Sequence, residues 1–130
     1  MKSKKAQSAI EFVILVGVVT FFFASFMLVL QANIYEKNWE KINHLTKEIA
    51  LNVQNEIDIA SKAIDGYRRE FEIPAKIQYS DYEISIVDSF VYVKTNDDLH
   101  ALSLPAAEVI GQPIKGVNVI RKTNGEVFLN

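Results

Sequence analysis

The sequence predicts an α+β fold: one long N-terminal helix, apolar in its first half and amphipathic in its second, packed on a small antiparallel β-sheet. Three observations predict it. Residues 12–30 carry no charge and only Gly17, Thr20 and Ser25 interrupt their apolar run. Apolar residues then recur at helical spacing as far as Phe71. From Pro74 onward the alternation shifts to a period of two, the signature of half-buried strands.

The first element is the apolar helix. Nineteen residues, "FVILVGVVTFFFASFMLVL", span roughly 28 Å as a helix, enough to cross a hydrocarbon core. A cleavable secretory signal would be shorter and end in a small-x-small cut site, and no such site follows Leu30. Residues 1–6 hold three lysines and no acid, whereas residues 31–130 hold 15 acids against 11 Lys and Arg. A basic stub, an apolar span and an acidic remainder predict a single-pass protein with its N-terminus in the cytoplasm. The acidic body offers no basic stripe to follow phosphates, so nucleic acid is not an expected partner. There is no cysteine, so an exported body would not be disulfide-stapled, and no N-x-[ST] sequon occurs.

Glu11 is the anomaly, a carboxylate at the edge of a segment that otherwise avoids charge. Interfacial snorkelling alone could accommodate it. A cut between Ala6 and Gln7 would give it a purpose, because the new α-amine at Gln7 would lie one helical turn from Glu11, on the same face. In a low-dielectric bundle of such helices, the acid of one copy could pair with the amine of a displaced neighbour and fix axial register.

The stretch "KKAQSAIEFVILVG" resembles the class III signal peptide of archaeal type IV pilins, over about the first 30 residues. In that resemblance Lys4, Lys5 and Ala6 correspond to the recognition leader, Gln7 to the new N-terminus and Glu11 to the assembly glutamate. The family commonly has Gly before the cut, where this chain has Ala6. The resemblance implies a cleaved leader (1–6), a hydrophobic transmembrane and assembly helix (7–30), an amphipathic helical stalk (31–73) and a β-sheet head (74–130). It also implies a structural role, as a subunit of a surface filament active in adhesion. The implied partners are further copies and other pilins in a helical filament, a prepilin peptidase, and a membrane assembly platform with its ATPase. The precursor would lie in the cell membrane and the processed chain in a cell-surface filament. The alternative is a non-polymerising single-pass protein with an extracellular β-rich binding head, which would keep its lysines and place no demand on Glu11.

In the stalk, apolar or small residues recur at Tyr35, Trp39, Ile42, Ile49, Val53, Ile57, Ala60, Ile64, Tyr67 and Phe71, one stripe of helical period. Glu36, Lys37, Glu40, Lys41, Lys47, Glu48, Asn52, Asn55, Glu56, Asp58 and Lys62 read as the solvated face. The spacing predicts a helix from about Ser8 to about Phe71, bent if anywhere near Gly17 or Gly66 and stopped by Pro74. Its stripe is expected to face the sheet rather than form a coiled-coil seam, since it mixes aromatics and alanines.

In the head, "YEISIV" and "FVYVKT" flank Asp88-Ser89 as a hairpin, and Asn124-Gly125 marks a second hairpin between "VNVIRK" and "EVFL". "HALSL" is a further strand, giving a meander of about four to five strands. Its apolar face would carry Ile84, Ile86, Val91, Val93, Leu102 or Leu104, and Val119. His44 and His100 lack metal-ligand spacing and read as surface residues. Asp97-Asp98 reads as a loop, without the spacing of a calcium site. No phosphate loop or catalytic set has local support, so neither enzymatic activity, a metal nor a cofactor is expected.

Overall fold

The structure, a computed structural model, describes residues 2–130, with side chains from residue 6 on. It is an α+β arrangement: one helix, α1 (Lys2–Lys62), and seven strands. The strands are β1 (Arg68–Ile73), β2 (Tyr82–Val87), β3 (Phe90–Thr95), β4 (Ala101–Pro105), β5 (Ile110–Gly111), β6 (Gly116–Thr123) and β7 (Glu126–Leu129). The chain divides into two units, one through Trp39 and one from Glu40 to Asn130. The first unit is helix alone.

In the second unit, the helical residues Ile49, Ala50, Val53, Ile57 and Ala60 share one buried core with both sheets. Phe71, Ile73, Ile120, Val127 and Leu129 come from a four-stranded sheet of order β1-β6-β7-β5. Tyr82, Ile86, Val91 and Val93 come from a three-stranded sheet of order β2-β3-β4. Each large apolar side chain so buried contributes about 1.5–3 kcal/mol, which is how the second half of α1 is held.

The helix ends nine residues before Phe71, at Lys62, and the stripe beyond it is strand rather than helix. Gly66 does not bend α1; it sits after it with φ +93°, a left-handed geometry that ends the run. The Lys122 ammonium donates to the carbonyl oxygens of Ser61 (2.7 Å) and Ala63 (2.9 Å), serving acceptors the helix terminus leaves open. In "EFEI" the alternation of Phe71 and Ile73, both buried, with exposed Glu70 and Glu72 has the strand period. The stalk and head boundary expected at residue 73–74 therefore moves to the turn before Arg68.

The expected single meander is instead two sheets, and β5 pairs with β7 in parallel (Ile110 with Phe128, Gly111 with Leu129). Gly111 has φ +116°, and a Cβ there would lie 1.9 Å from the Leu129 carbonyl oxygen, so only glycine fits this approach. Both anticipated hairpins form. Asp88 and Ser89 take φ of 49° and 63°, and Asn124 and Gly125 take 54° and 82°, the paired positive values of tight type I′ turns. Val119 faces away from the core; Asn118 and Ile120 face in, because the pairing of β1 with β6 sets Phe71 opposite Asn118.

Candidate functional site

The described side chains of the first unit point outward on every side. From Ala6 to Trp39 every side chain is exposed except the half-buried Ser25, and the large apolar ones include Phe12 at 65 % and Phe21 at 70 % exposure. α1 is long and apolar enough to cross a membrane. The two hydroxyls between Phe12 and Leu30 are satisfied within the helix: Thr20 Oγ1 donates to the Val16 carbonyl (2.7 Å) and Ser25 Oγ to the Phe21 carbonyl (2.8 Å). No polar group between Phe12 and Leu30 therefore needs water, which is the condition for residence in lipid or in a dry bundle.

Gln7 and Glu11 are brought together. Gln7 Nε2 donates to Glu11 Oε1 at 3.3 Å, across one turn and in the open. Below this pair, Glu11 borders a shallow, apolar surface recess of about 310 Å³ with Ile14, Leu15, Val18 and Val19. A carboxylate at the mouth of an apolar strip is accessible to a cation presented by a second helix. Ala6 and Gln7 are exposed on α1, and the helix runs through the expected cut between them. The side chains of Lys4 and Lys5, the other residues of the expected leader, lie outside the described residues.

In the second unit, the polar groups are spent on holding the fold. His100 is buried, at 3 % exposure, rather than on the surface, and its Nδ1 lies 2.5 Å from Asn43 Oδ1 on α1. Its backbone N–H donates to Thr95 Oγ1, closing the β3–β4 loop. His44 is exposed and lies 3.7 Å from Glu48. Asp97 accepts from the Thr95 hydroxyl (2.5 Å) and from the Leu99 amide (3.1 Å), and these bonds, the hydroxyl's first, hold its carboxyl below the usual range. Asp98 pairs with Lys94 at 2.5 Å, which raises the Lys94 ammonium. The two loop acids thus already have partners in the loop and at the end of β3. Among the described residues no group of three or more His, Cys, Asp or Glu could hold a metal ion.

Glu56 was expected on the solvated face and is instead buried, its Oε2 3.4 Å from Arg69 Nε. The geometry gives it an ion-pair distance without an aligned hydrogen bond. Its spacing held the signal: Glu56 lies three residues after Val53 and four before Ala60, on the stripe itself. Gln112 was also missed. Its side-chain amide both donates to the Ile86 carbonyl and accepts from the Ile86 amide, each at 2.8 Å, mimicking a neighbouring strand along the edge of β2. No local pattern announces such a contact, since 26 residues separate its partners. Tyr82 is fully buried, its hydroxyl donates to the Pro74 carbonyl, and burial together with Asp81 pushes it up to about 12.

No family model, no curated protein and no solved structure matches this chain. The membrane-length apolar helix and the two-sheet unit stand on their own geometry.

Proposed function

We propose that the chain is the precursor of a structural subunit of a surface filament of the archaeal type IV pilus kind. In this reading a prepilin peptidase removes residues 1–6. The helix from Gln7 to Leu30 then passes from lipid into a bundle of identical or related helices, driven by an assembly platform and its ATPase, and the β-rich unit forms the exterior. Adhesion is the role that the resemblance to that family implies. The observation that carries the reading is the pairing of an apolar, fully outward-facing helix with a single acid one turn from Gln7. Lipid alone would accept the apolar face, but it gives the acid no partner, whereas a neighbour's α-amine does.

N-terminal sequencing of the membrane-derived protein tests it. A start at Gln7 is expected; a start at Met1 or Lys2 favours the plain anchor. Glu11→Gln should leave processing and insertion intact and abolish filaments seen by electron microscopy. Wild-type filament yield in that variant would remove Glu11 from the mechanism.

A further inference from the structure

Asn124-Gly125 is the chain's single Asn-Gly pair, and it forms the two-residue turn between β6 and β7, where Thr123 pairs with Glu126. Such a pair has a chemistry of its own. Once the glycine nitrogen loses its proton it can attack the asparagine Cγ, and the side-chain nitrogen leaves as ammonia. The new N–Cγ bond closes a five-membered succinimide, which water opens at either carbonyl to give aspartate or isoaspartate. No oxidant or reductant is needed. A glycine after the asparagine favours the reaction, because it has no Cβ to hinder the approach. Both residues of this turn are exposed, so water reaches them freely.

Two features of the fold oppose the reaction. The Gly125 N–H donates to Asp65 Oδ1 at 2.9 Å. A bond from the neutral N–H to a group that is itself an anion disfavours the deprotonated nitrogen that must attack. The second feature is the turn. Asn124 and Gly125 hold φ of 54° and 82°, and a type I′ turn has ψ of about 30° at its first central residue. Ring closure requires the Gly125 nitrogen to eclipse the Asn124 Cα–Cβ bond, and at that ψ it stands about 90° or more away.

Asp65 lies in the turn after α1, and that turn is fastened to β6. The Gly66 amide donates to the Lys122 carbonyl (3.0 Å) and the Lys122 amide to the Tyr67 carbonyl (2.9 Å). The Lys122 ammonium reaches the carbonyl oxygens of Ser61 and Ala63 at the helix end. The carboxylate that covers the Gly125 nitrogen is therefore delivered by the seating of α1 on the β6–β7 hairpin. We propose that Asn124 is a latent deamidation site, held closed by Asp65 for as long as the end of α1 stays seated. The products act on the same place. Aspartate adds a carboxylate to a turn that already adjoins Asp65 and Glu126. Isoaspartate adds a backbone carbon to a two-residue turn whose register sets Val127 and Leu129 in the core. An opened seat admits the reaction, and the product keeps the seat open. The site works alike in a filament subunit and in a lone membrane protein.

The full chain, purified in detergent, is aged in mildly alkaline buffer, and mass spectrometry separates the asparagine, aspartate and isoaspartate forms of the peptide spanning position 124. Asp65 is exposed, so solvent tempers its charge, and Asp65→Ala should convert about three- to tenfold faster than the wild type. Asp65→Asn keeps an acceptor without the charge and should fall between the two. In urea, where the turn is gone, all three should convert at one rate. Hydrogen exchange over residues 120–129 shows whether each folded variant keeps its hairpin; if Asp65→Ala loses it, Asp65→Asn carries the test. A wild-type rate in a variant whose hairpin stays closed, or a difference between the chains that survives in urea, would overturn the guard.

Discussion

Between Ala6 and Trp39 the helix turns apolar side chains outward on every face, whereas between Ile49 and Ala60 it turns them inward against two sheets. The reach of the polar side chains changes in parallel. In the first stretch Thr20 and Ser25 bond back to their own helix within four residues. In the second unit, Asn43 reaches His100 and Gln54 reaches the Pro105 carbonyl, partners more than fifty residues away in sequence. One unbroken element thus serves two solvents. Where the surroundings lie outside the chain, the hydroxyls are satisfied locally; where they are the chain itself, Thr46 and Ser61 still bond back to the helix, and it is the amide side chains of Asn43 and Gln54 that tie distant segments together.

The largest test of that contrast is a charge at matched positions. Ile57→Asp puts a carboxylate in a fully buried site and should cost about 4 kcal/mol or more, unfolding the second unit in denaturant titration. Val19→Asp, on the outward-facing first half, should leave the melting of the β-bearing unit unchanged and impair membrane insertion instead. Equal effects on that unit's melting would erase the distinction.

Next comes Gly111→Ala. The new Cβ would clash with the Leu129 backbone at a left-handed φ, so a loss of about 2–4 kcal/mol is expected in the same titration. Asn118→Ala should follow closely, at about 2–3 kcal/mol. The Asn118 side chain is fully buried, donates to the Ile114 and Gly116 carbonyls, and accepts from the Ile114 amide and from Asn130 Nδ2. Its removal strands several of these at once.

The smallest effect is on pH. Asp81 is lowered, chiefly by its bond with Lys115, and Asp97 chiefly by the Thr95 hydroxyl. A depressed carboxyl stabilises the fold above its unfolded value, here 3.8, and that support is lost as pH falls through the folded value. The denaturation midpoint should therefore hold from about pH 8 to about pH 5 and fall only below about pH 4. Both groups face solvent, so the fall should be shallow. A drop centred near neutrality would count against these two carboxyls as its source.

Much of this arrangement was legible in the residues. The charge-free run of 12–30, the two turn dipeptides and the alternation of "YEISIV" each map to the element they predict. The helix end was misread because Ile64, Tyr67 and Phe71 continue a helical spacing by accident, while Asp65-Gly66 already spelled a turn. The division into two sheets was not legible, because it depends on pairings such as β1 with β6, far apart in sequence, and on one two-residue parallel strand. Of the candidate site, the Gln7–Glu11 proximity follows from helical spacing alone. The burial of Glu56 and His100 depends on what packs over them, and a charge or an imidazole in a sequence carries no mark of that.

The inward-bonded hydroxyls of Thr20 and Ser25 have a consequence for turnover. Between Phe12 and Leu30 such a helix breaks no hydrogen bond on leaving a fluid bilayer and breaks none on going back. Along that stretch only dispersion contacts are exchanged, tail for side chain and side chain for tail. In a polymer drawn from such helices, the polar cost of dismantling would then be concentrated at Glu11 and the neighbour's amine, with no covalent bond to cleave and no refolding of the span to await.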